Sequence, residues 1–214
     1  MKIGILGAGY VGRILAERLV AAGHEVMLSN SRAPESLFSL RLTLGCLAGS
    51  SVEAAQFGEV VILAMPFTVF ATIPAAVLAD KIVIDAMNYY PERDGHIYAL
   101  DQGLNSTSAM VQAHFQQARV VKTFNAIRMV DIAAVAAPAG TATRVAIPMA
   151  GDDAAAKSVV AGLVNAVGLD CVDVGDLAQG WRFENGTPAY CTLLTRAALL
   201  QALQAAQSLG TAHR

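Results

Sequence analysis

The sequence predicts an α/β protein with a doubly wound, mainly parallel sheet and a small helical part at the C-terminus. Strand and helix signals alternate along most of the 214 residues. Near-continuous apolar runs such as residues 59–66 (EVVILAMP) are typical of strands that a parallel sheet buries on both faces. A glycine-rich turn also follows the first predicted strand. Alternating units of this kind form parallel sheets through right-handed crossovers.

The first strand–helix–strand unit starts at the N-terminus. Residues 2–7 (KIGILG) and 25–30 (EVMLSN) have strand patterns. Residues 9–23 between them place apolar side chains near one helical face, and Gly23 is a typical helix stop. We therefore expect two parallel strands joined by one amphipathic helix.

The remaining elements follow in the same alternation. Further strands are predicted over residues 59–66, 81–88, 118–127, 144–153 and 170–175. A helix is expected over residues 67–80, although Pro74 strains it, and another over residues 151–168, capped by Asp152 or Asp153 and ended by Gly168. The Leu-, Ala- and Gln-rich residues 189–210 predict a last long helix.

Two segments lack regular patterns. They are residues 88–105 and residues 175–188, and long loops in a compact domain tend to be functional. We expect a cofactor-binding domain of the Rossmann type over residues 1–150, with a small α/β extension over residues 151–214 packed on it.

Composition and charge exclude several classes of protein. Hydrophobic residues make up 55% and charged residues 15% of the chain, which favours a large core over disorder. The net charge is −2 and the basic residues form no run, so neither a nucleic-acid nor a polybasic membrane partner is expected. No stretch reaches the roughly 18 apolar residues of a membrane span, and glycines interrupt the N-terminal apolar run. The sequence thus indicates a cytoplasmic protein.

The spacing of the cysteines and histidines does not predict a metal site. Cys46, Cys171 and Cys191 are odd in number and scattered, which is typical of free thiols in a reducing cytosol. The four histidines, His213 among them, form no pair with ligand spacing within one predicted helix. We expect no bound metal.

The strongest motif is G-x-G-x-x-G at Gly7, Gly9 and Gly12. It follows a strand and opens a helix, which is the context that dinucleotide-binding folds require. Gly7 allows a tight turn, Gly9 lets the backbone approach a pyrophosphate, and Gly12 lets the helix pack closely on the strand. The helix N-terminus then offers free N–H groups to the phosphates. The alternative is a glycine-rich turn without a ligand.

The turn after the second strand favours NADP(H) over NAD(H). An NAD enzyme places a carboxylate about 20 residues beyond the glycines to bind the ribose 2′-hydroxyl. Here the turn reads Asn30, Ser31 and Arg32, and Arg32 suits a 2′-phosphate. Asn30 adds a donor, and Arg41 could assist from the next helix. Alternatively, Arg32 is a solvated surface charge.

Several motifs in chain order resemble one family. The stretches GILGAGYVG, SNSR, VVILAMPF, VIDAMN, VVKTFNAI, AGDD and VDVGDLAQGWRFE are similar to the NADP-dependent reductases of the deazaflavin coenzyme F(420), and to the cytosolic domain of the six-transmembrane metalloreductases. The resemblance implies a Rossmann domain, NADP(H) as cofactor, a deazaflavin or flavin as second substrate, and a homodimer. The cofactor-binding residues predicted from the motifs and the resemblance are Gly7, Ala8, Gly9, Tyr10, Val11, Gly12, Asn30, Ser31, Arg32, Ala64, Met65, Pro66, Phe67, Asn88, Asn125 and Ala126.

The resemblance implies direct hydride transfer between nicotinamide and a flavin-like acceptor, so we expect no catalytic side chain. Asn88 and Asn125 could position the carboxamide or an acceptor carbonyl, or be turn asparagines. Gly175-Asp176-Leu177 departs from the family's Gly-Pro-Leu. Asp85 could cap a loop, pair with Lys122 or have no special role.

Aromatic residues in the two irregular segments are further candidates. Trp181, Arg182 and Phe183 could flank the acceptor; alternatively, Trp181 and Phe183 are ordinary core residues at a helix start. Tyr89 and Tyr90 could stack on a ring.

Two other functions stay open. One is an NADP-dependent dehydrogenase or imine reductase of a small metabolite, but such enzymes usually append a large helical domain, and about 60 residues follow the sheet here. The other is a non-catalytic NADPH-binding sensor, which would bind the cofactor without turning over an acceptor.

Overall fold

The computed structural model describes residues 1–206, and its centre is a sheet of eight strands. The strands are β1 (Lys2–Leu6), β2 (Glu25–Ser29), β3 (Leu47–Gly49), β4 (Val60–Leu63), β5 (Ile82–Asp85), β6 (Arg119–Lys122), β7 (Ala146–Gly151) and β8 (Asp170–Asp173). Their order across the sheet is β3-β2-β1-β4-β5-β6-β7-β8. The first six are parallel, β7 is antiparallel to β6, and β8 is parallel to β7. The predicted α/β class with a mainly parallel sheet is confirmed.

Helices connect these strands. They are α1 (Tyr10–Ala21), α2 (Phe38–Leu44), α3 (Ser51–Phe57), α4 (Pro91–Asp94), α5 (Tyr98–Asp101), α6 (Thr107–His114), α7 (Met129–Val135), α8 (Ala154–Ala166) and α9 (Arg196–Ala205). Short 3-10 helices cover Pro34–Leu37, Phe67–Thr72, Ala75–Leu78 and Leu177–Phe183.

The core lies on both faces of the sheet. Successive strand side chains point to opposite faces, so Ile5 and Ile62 join a cluster with α1 and α8, while Leu6 and Val61 join a cluster with α3 and α6. A third cluster lies where β7 and β8 meet α9. Because both faces are covered, the interiors of the strands are mostly apolar, as the sequence indicates, and charged residues such as Asp85 and Lys122 stand at strand ends.

The strand order reverses at β1. The chain runs outward from β1 to β2 and β3, then returns to β4 on the other side of β1. Such a reversal opens a crevice at the carboxyl ends of the two central strands, which is where open α/β sheets bind their ligands.

The predicted helix over residues 67–80 is wrong. The chain forms two short 3-10 helices there, and Ile73 and Pro74 between them are extended, with ψ of 123° and 126°. Proline removes a helical hydrogen bond and clashes with the preceding turn, so a continuous helix cannot form.

Other element boundaries agree with the sequence. Asp153 caps α8, because its side chain accepts a hydrogen bond from the Ala156 N–H, and Gly168 follows the helix with φ of +93°. The predicted strand over residues 170–175 is β8, which ends at Asp173, two residues earlier than expected. The predicted C-terminal helix begins at Arg196, and its continuation beyond residue 206, like His213, lies outside the described residues.

The strand β7 runs across residue 150, the expected boundary between two units. Since β7 pairs with β6, the sheet continues into the C-terminal part. The division of the chain at residue 150 stays a prediction. Among residues 1–206, no helix is both long enough and apolar enough to cross a membrane.

Candidate functional site

The glycine motif forms a tight turn between β1 and α1. Gly7 has φ of +116°, and a Cβ there would lie 2.3 Å from the Ala64 carbonyl oxygen. A Cβ on Gly12 would lie 1.9 Å from the Gly7 carbonyl oxygen, so α1 packs directly on the turn. Gly9 is different, because nothing lies within 4 Å of its ideal Cβ position. The backbone at Gly9 is therefore open to a ligand.

The N-terminus of α1 faces the same opening. Its 12 residues begin after Gly9, no side chain caps them, and no acidic residue lies in the first turn. The first N–H groups of a helix have no partner within the helix, and their dipoles favour an anion. The Arg13 Nε donates a 2.7 Å hydrogen bond to the Ala8 carbonyl oxygen, which holds the turn in place.

The turn after β2 is held by Asn30. Its Oδ1 accepts a hydrogen bond from the Arg32 N–H at 2.9 Å, and its Nδ2 donates to the Ser36 Oγ at 2.9 Å. The Asn30 side chain, which the sequence predicts as a ligand donor, thus makes hydrogen bonds within the turn and orders it. Ser31 and Arg32 are exposed beside it. No carboxylate takes the position that a ribose 2′-hydroxyl would need.

These parts border one groove of about 550 Å³ at the carboxyl ends of β1 and β4. Nine of the predicted residues line it: Gly7, Ala8, Gly9, Asn30, Ser31, Arg32, Ala64, Met65 and Pro66. Four further lining residues were not predicted: Ser51, Val69, Thr72 and Ile73. Ser51 lies within the capping box of α3, in which Ser50 and Glu53 exchange hydrogen bonds. That Ser-x-x-Glu spacing is a sequence signal for a helix start at this edge of the sheet.

Four predicted residues lie beside the groove without lining it. Tyr10 is 57% exposed and Val11 half-buried on the first turn of α1, while Gly12 packs beneath the turn. Phe67 is 1% exposed and packs against Phe70 and Tyr89 in the core. The structure thus turns the Phe67 ring into the core, away from the groove.

Asn88 and Asn125 join the ends of β5 and β6. The Asn88 Nδ2 donates to the Asn125 carbonyl oxygen at 3.0 Å, and the Asn125 Nδ2 donates to the Phe183 carbonyl oxygen at 3.0 Å and to the Asn88 Oδ1 at 3.3 Å. Asn125 is 3% exposed, and its Oδ1 has no hydrogen-bond partner among the described residues. Ala126 is equally buried.

A second cleft lies beyond Asn88. It consists of two cavities of about 320 and 600 Å³ that share Leu100, Asn105, Glu184 and Asn185. Asn88 and Tyr89 line one of them, and Trp181 lines the other. Both segments without regular patterns therefore border this cleft, in keeping with the expectation that they are functional.

The aromatic residues of these segments have different surroundings. Phe183 is fully buried and belongs to the core, the second of its two predicted roles. The Arg182 guanidinium lies over the Trp181 ring, 4.9 Å from its centroid, and donates to the Leu203 carbonyl oxygen. The Tyr90 hydroxyl forms a short hydrogen bond with the Tyr190 hydroxyl, and burial together with this bond raises the pKa of Tyr190. Of Trp181, Arg182 and Phe183, it is Trp181 that lines the cleft.

A buried charge cluster lies beneath the cleft. The Lys122 Nζ is 3.4 Å from the Asp85 Oδ2 and 3.6 Å from the Glu184 Oε1, and it donates to the Thr107 Oγ1 at 2.8 Å. The Lys122 and Asp85 side chains are fully buried. They are the last residues of β6 and β5, directly opposite each other in the sheet. The structure has two of the alternatives for Asp85: its Oδ2 pairs with Lys122, and its Oδ1 accepts a 2.9 Å hydrogen bond from the Met87 N–H, which caps the loop after β5.

Part of the chain matches the profile of a known protein family. Residues 2–89 match the profile of the family described as NADP oxidoreductase, coenzyme F(420)-dependent. The metalloreductase STEAP3 of Rattus norvegicus is 31% identical over 185 residues, which is 86% of this chain and 36% of the rat protein. The chain thus spans about a third of that curated relative's length.

Two solved structures are similar over most of the chain. A hypothetical protein of Sinorhizobium meliloti has 31% identity and a TM-score of 0.79, and the match covers 92% of this chain and 96% of that one. A protein of Arthrobacter described as a candidate F(420)-dependent NADP-reductase has 29% identity and a TM-score of 0.70, covering 82% of this chain and 85% of its own.

Proposed function

We propose that this chain, which belongs to the family of coenzyme F(420)-dependent NADP oxidoreductases, transfers a hydride between NADP(H) and a deazaflavin or flavin-like acceptor. The observation that carries the proposal is the charge of the groove. The groove contains an open glycine turn, an uncapped helix N-terminus and Arg32. No carboxylate is among its lining residues in the described part of the chain. Such a groove suits a pyrophosphate and a 2′-phosphate together.

The chain's residues take distinct roles in this proposal. The backbone at Gly9 and the first N–H groups of α1 hold the pyrophosphate. Ser31 and Arg32 bind the 2′-phosphate, and the turn that Asn30 orders holds them in place. Ala64, Met65 and Pro66 at the end of β4 border the far part of the groove, where the nicotinamide would lie.

Asn88 and Asn125 are proposed to hold the carboxamide side of the nicotinamide. Because Leu63 pairs with Asp85 across β4 and β5, Pro66 and Asn88 follow the two strands at the same distance along the chain. Neighbouring strands lie about 4.8 Å apart, so Asn88 is within reach of a ligand that touches Pro66. The Asn125 Oδ1 accepts no hydrogen bond from residues 1–206, and a carboxamide N–H₂ would supply one.

The bound nicotinamide supplies the hydride, and the protein aligns two rings and excludes water. We propose that the acceptor ring enters the second cleft past Asn88, with Tyr89 and Trp181 along its walls. No side chain is proposed as an acid or a base for the hydride step itself.

The experiment is a turnover assay with a panel of acceptors. Purified protein is mixed with NADPH, then with riboflavin, FMN, FAD or the deazaflavin coenzyme, and the NADPH absorbance is followed. We expect loss of NADPH that depends on the protein and on one class of acceptor. NADPH that binds without turnover of any acceptor would contradict the proposal and favour a sensor.

We also propose that the protein is a cytoplasmic homodimer, supported by the family resemblance. Light scattering coupled to size-exclusion chromatography tests the dimer, for which we expect twice the mass of the 22.3 kDa chain. A single-chain mass at micromolar concentration would contradict it.

A further inference from the structure

The two clefts carry opposite charges. In the described part of the chain, the cofactor groove is lined by Arg32 and by no carboxylate, whereas the second cleft is lined by Glu92, Asp101 and Glu184. Within residues 1–206, no lysine or arginine lines the second cleft. Each cleft therefore attracts ligands of a different charge.

The cations that surround the second cleft are already neutralised. Lys122 is buried between Asp85 and Glu184. The Arg93 guanidinium is 2.7 Å from the Asp94 Oδ2 and also donates to the Asn88 carbonyl oxygen. Neither Lys122 nor Arg93 lines the cleft.

The two other basic groups nearby are held in the same way. Arg182 lies over the Trp181 ring and bonds the Gln179 side chain. The His96 Nδ1 is 3.0 Å from the Asp101 Oδ2, and the other Asp101 carboxylate oxygen accepts from the Tyr89 hydroxyl. Lys122 offsets only one of its two carboxylate neighbours, and Glu92 has no ion-pair partner among the described residues, so a phosphate in this cleft would meet an excess of negative charge.

The cleft has the shape and walls for an uncharged ring. Tyr89, Leu100 and Trp181 contribute apolar surface, and Asn105 and Asn185 contribute amide donors and acceptors. Cavities of several hundred Å³ with apolar walls and a few polar groups are typical of sites for small molecules. The amides can bond the carbonyl and ring nitrogen atoms of a heterocycle without adding charge.

We propose that the second cleft selects an acceptor without phosphate or carboxylate groups, a flavin of the riboflavin type, over FMN or the deazaflavin coenzyme with its anionic side chain. This inference rests on the proposed function, since it specifies the acceptor of the same hydride transfer. The physical reason is repulsion: Glu92 and the partly balanced Glu184 line a cleft whose width is comparable to the screening length of about 8–10 Å in a physiological buffer, so their charge reaches a phosphate bound there. Like charges at a binding surface reject the wrong partner more strongly than they strengthen the right one.

The test measures binding of riboflavin and FMN by flavin fluorescence, with NADP⁺ present so that no turnover occurs. We expect riboflavin to bind at least about tenfold more tightly than FMN, and the ratio to fall as salt is added. Trp181 is the single tryptophan of the chain, so its emission provides a second readout of binding. FMN binding as tightly as riboflavin, or no riboflavin binding, would overturn the inference.

A charge-reversal variant tests the cause. Glu92 is exposed on α4, and Glu92→Lys should reduce the preference for riboflavin over FMN about threefold or more. The matched control is Glu25→Lys, which makes the same change of net charge at the amino end of β2 and should leave the ratio unchanged. An equal shift in both variants, or no shift in Glu92→Lys, would overturn the role given to the cleft.

The proposed function can fail separately from this inference. NADPH binding and acceptor turnover test the oxidoreductase, whereas the ratio of the two flavin affinities tests the charge selection. A protein that turns over FMN and riboflavin equally would keep the function and lose the inference.

Discussion

At the scale of single residues, Arg32 has the clearest predicted effect. Truncation in Arg32→Ala removes a charge-assisted contact to the 2′-phosphate, which is worth about 1.5–3 kcal/mol. The dissociation constant for NADPH should therefore rise about 10- to 100-fold, while that for NADH should barely change. Calorimetric titration of both nucleotides measures the two effects.

Arg119 provides the matched control for this substitution. It is the first residue of β6, at the amino ends of the parallel strands and therefore away from the cofactor groove. Its side chain donates a hydrogen bond to the Asp80 carbonyl oxygen. Arg119→Ala should leave both affinities unchanged. A similar loss for NADPH and NADH in Arg32→Ala would mean that Arg32 does not recognise the 2′-phosphate.

The second prediction at the residue scale concerns the buried pair of Lys122 and Asp85. In Lys122→Met the Asp85 carboxylate stays buried without its cation, and such losses cost about 3–5 kcal/mol. We expect the free energy of unfolding to fall by that amount in urea denaturation at neutral pH. Adding Asp85→Asn should cost less than the sum of the two single changes, because the uncompensated charge is then removed.

An exposed ion pair serves as the comparison. Lys157 and Asp173 lie 2.9 Å apart with side chains 15% and 51% exposed, so Lys157→Met should cost only about 0–1 kcal/mol. Equal costs for Lys122→Met and Lys157→Met would contradict the account of the buried cluster.

At the scale of elements, the 3-10 helix Leu177–Phe183 depends on a glycine. A Cβ on Gly180 would lie 2.9 Å from the Lys122 Cδ, which is the middle of a confined side chain. Gly180→Ala should therefore lower the free energy of unfolding by about 1–3 kcal/mol, as overpacking does. Thermal or urea unfolding measures the change.

Gly162 in the middle of α8 offers the opposite case. Nothing lies within 4 Å of its ideal Cβ position, and it is exposed. Gly162→Ala should raise the free energy of unfolding by about 0.5–1 kcal/mol, because alanine favours the helix. Destabilisation by both alanines would show that the close contact at Gly180 is not the cause.

The sequence was a good guide to elements with long patterns. Except for β3, the strands of the central sheet follow from apolar runs, and the helices α1 and α8 follow from periodicity and caps. The short elements β3, α3, α4, α5, α6 and α7 were not predicted, because three to eight residues give too little periodicity. At residues 67–80 the apolar pattern favoured a helix, and the backbone constraint of Pro74 prevented it.

At the scale of the whole molecule, the cofactor groove was largely predictable. Its glycines and the turn at Ser31 and Arg32 are local motifs, and a parallel sheet brings its carboxyl ends together at one edge. Ser51 lies in a capping box, which marks a helix start but no ligand site, and Ile73 comes from a connection without a motif. The pair of Asp85 and Lys122 was one of the alternatives, but the second cleft and the place of Glu184 beside Lys122 could not be derived, since they depend on how residues 177–187 fold back over β6 and β7.

The central claim is that this fold binds NADP(H) through the turn after β2. The most direct measurement is a calorimetric titration of the unmodified protein with NADPH and with NADH under identical conditions. We predict that NADPH binds at least about tenfold more tightly, because of the contact between Arg32 and the 2′-phosphate. Equal affinity for the two nucleotides, or no binding of either, would contradict the account.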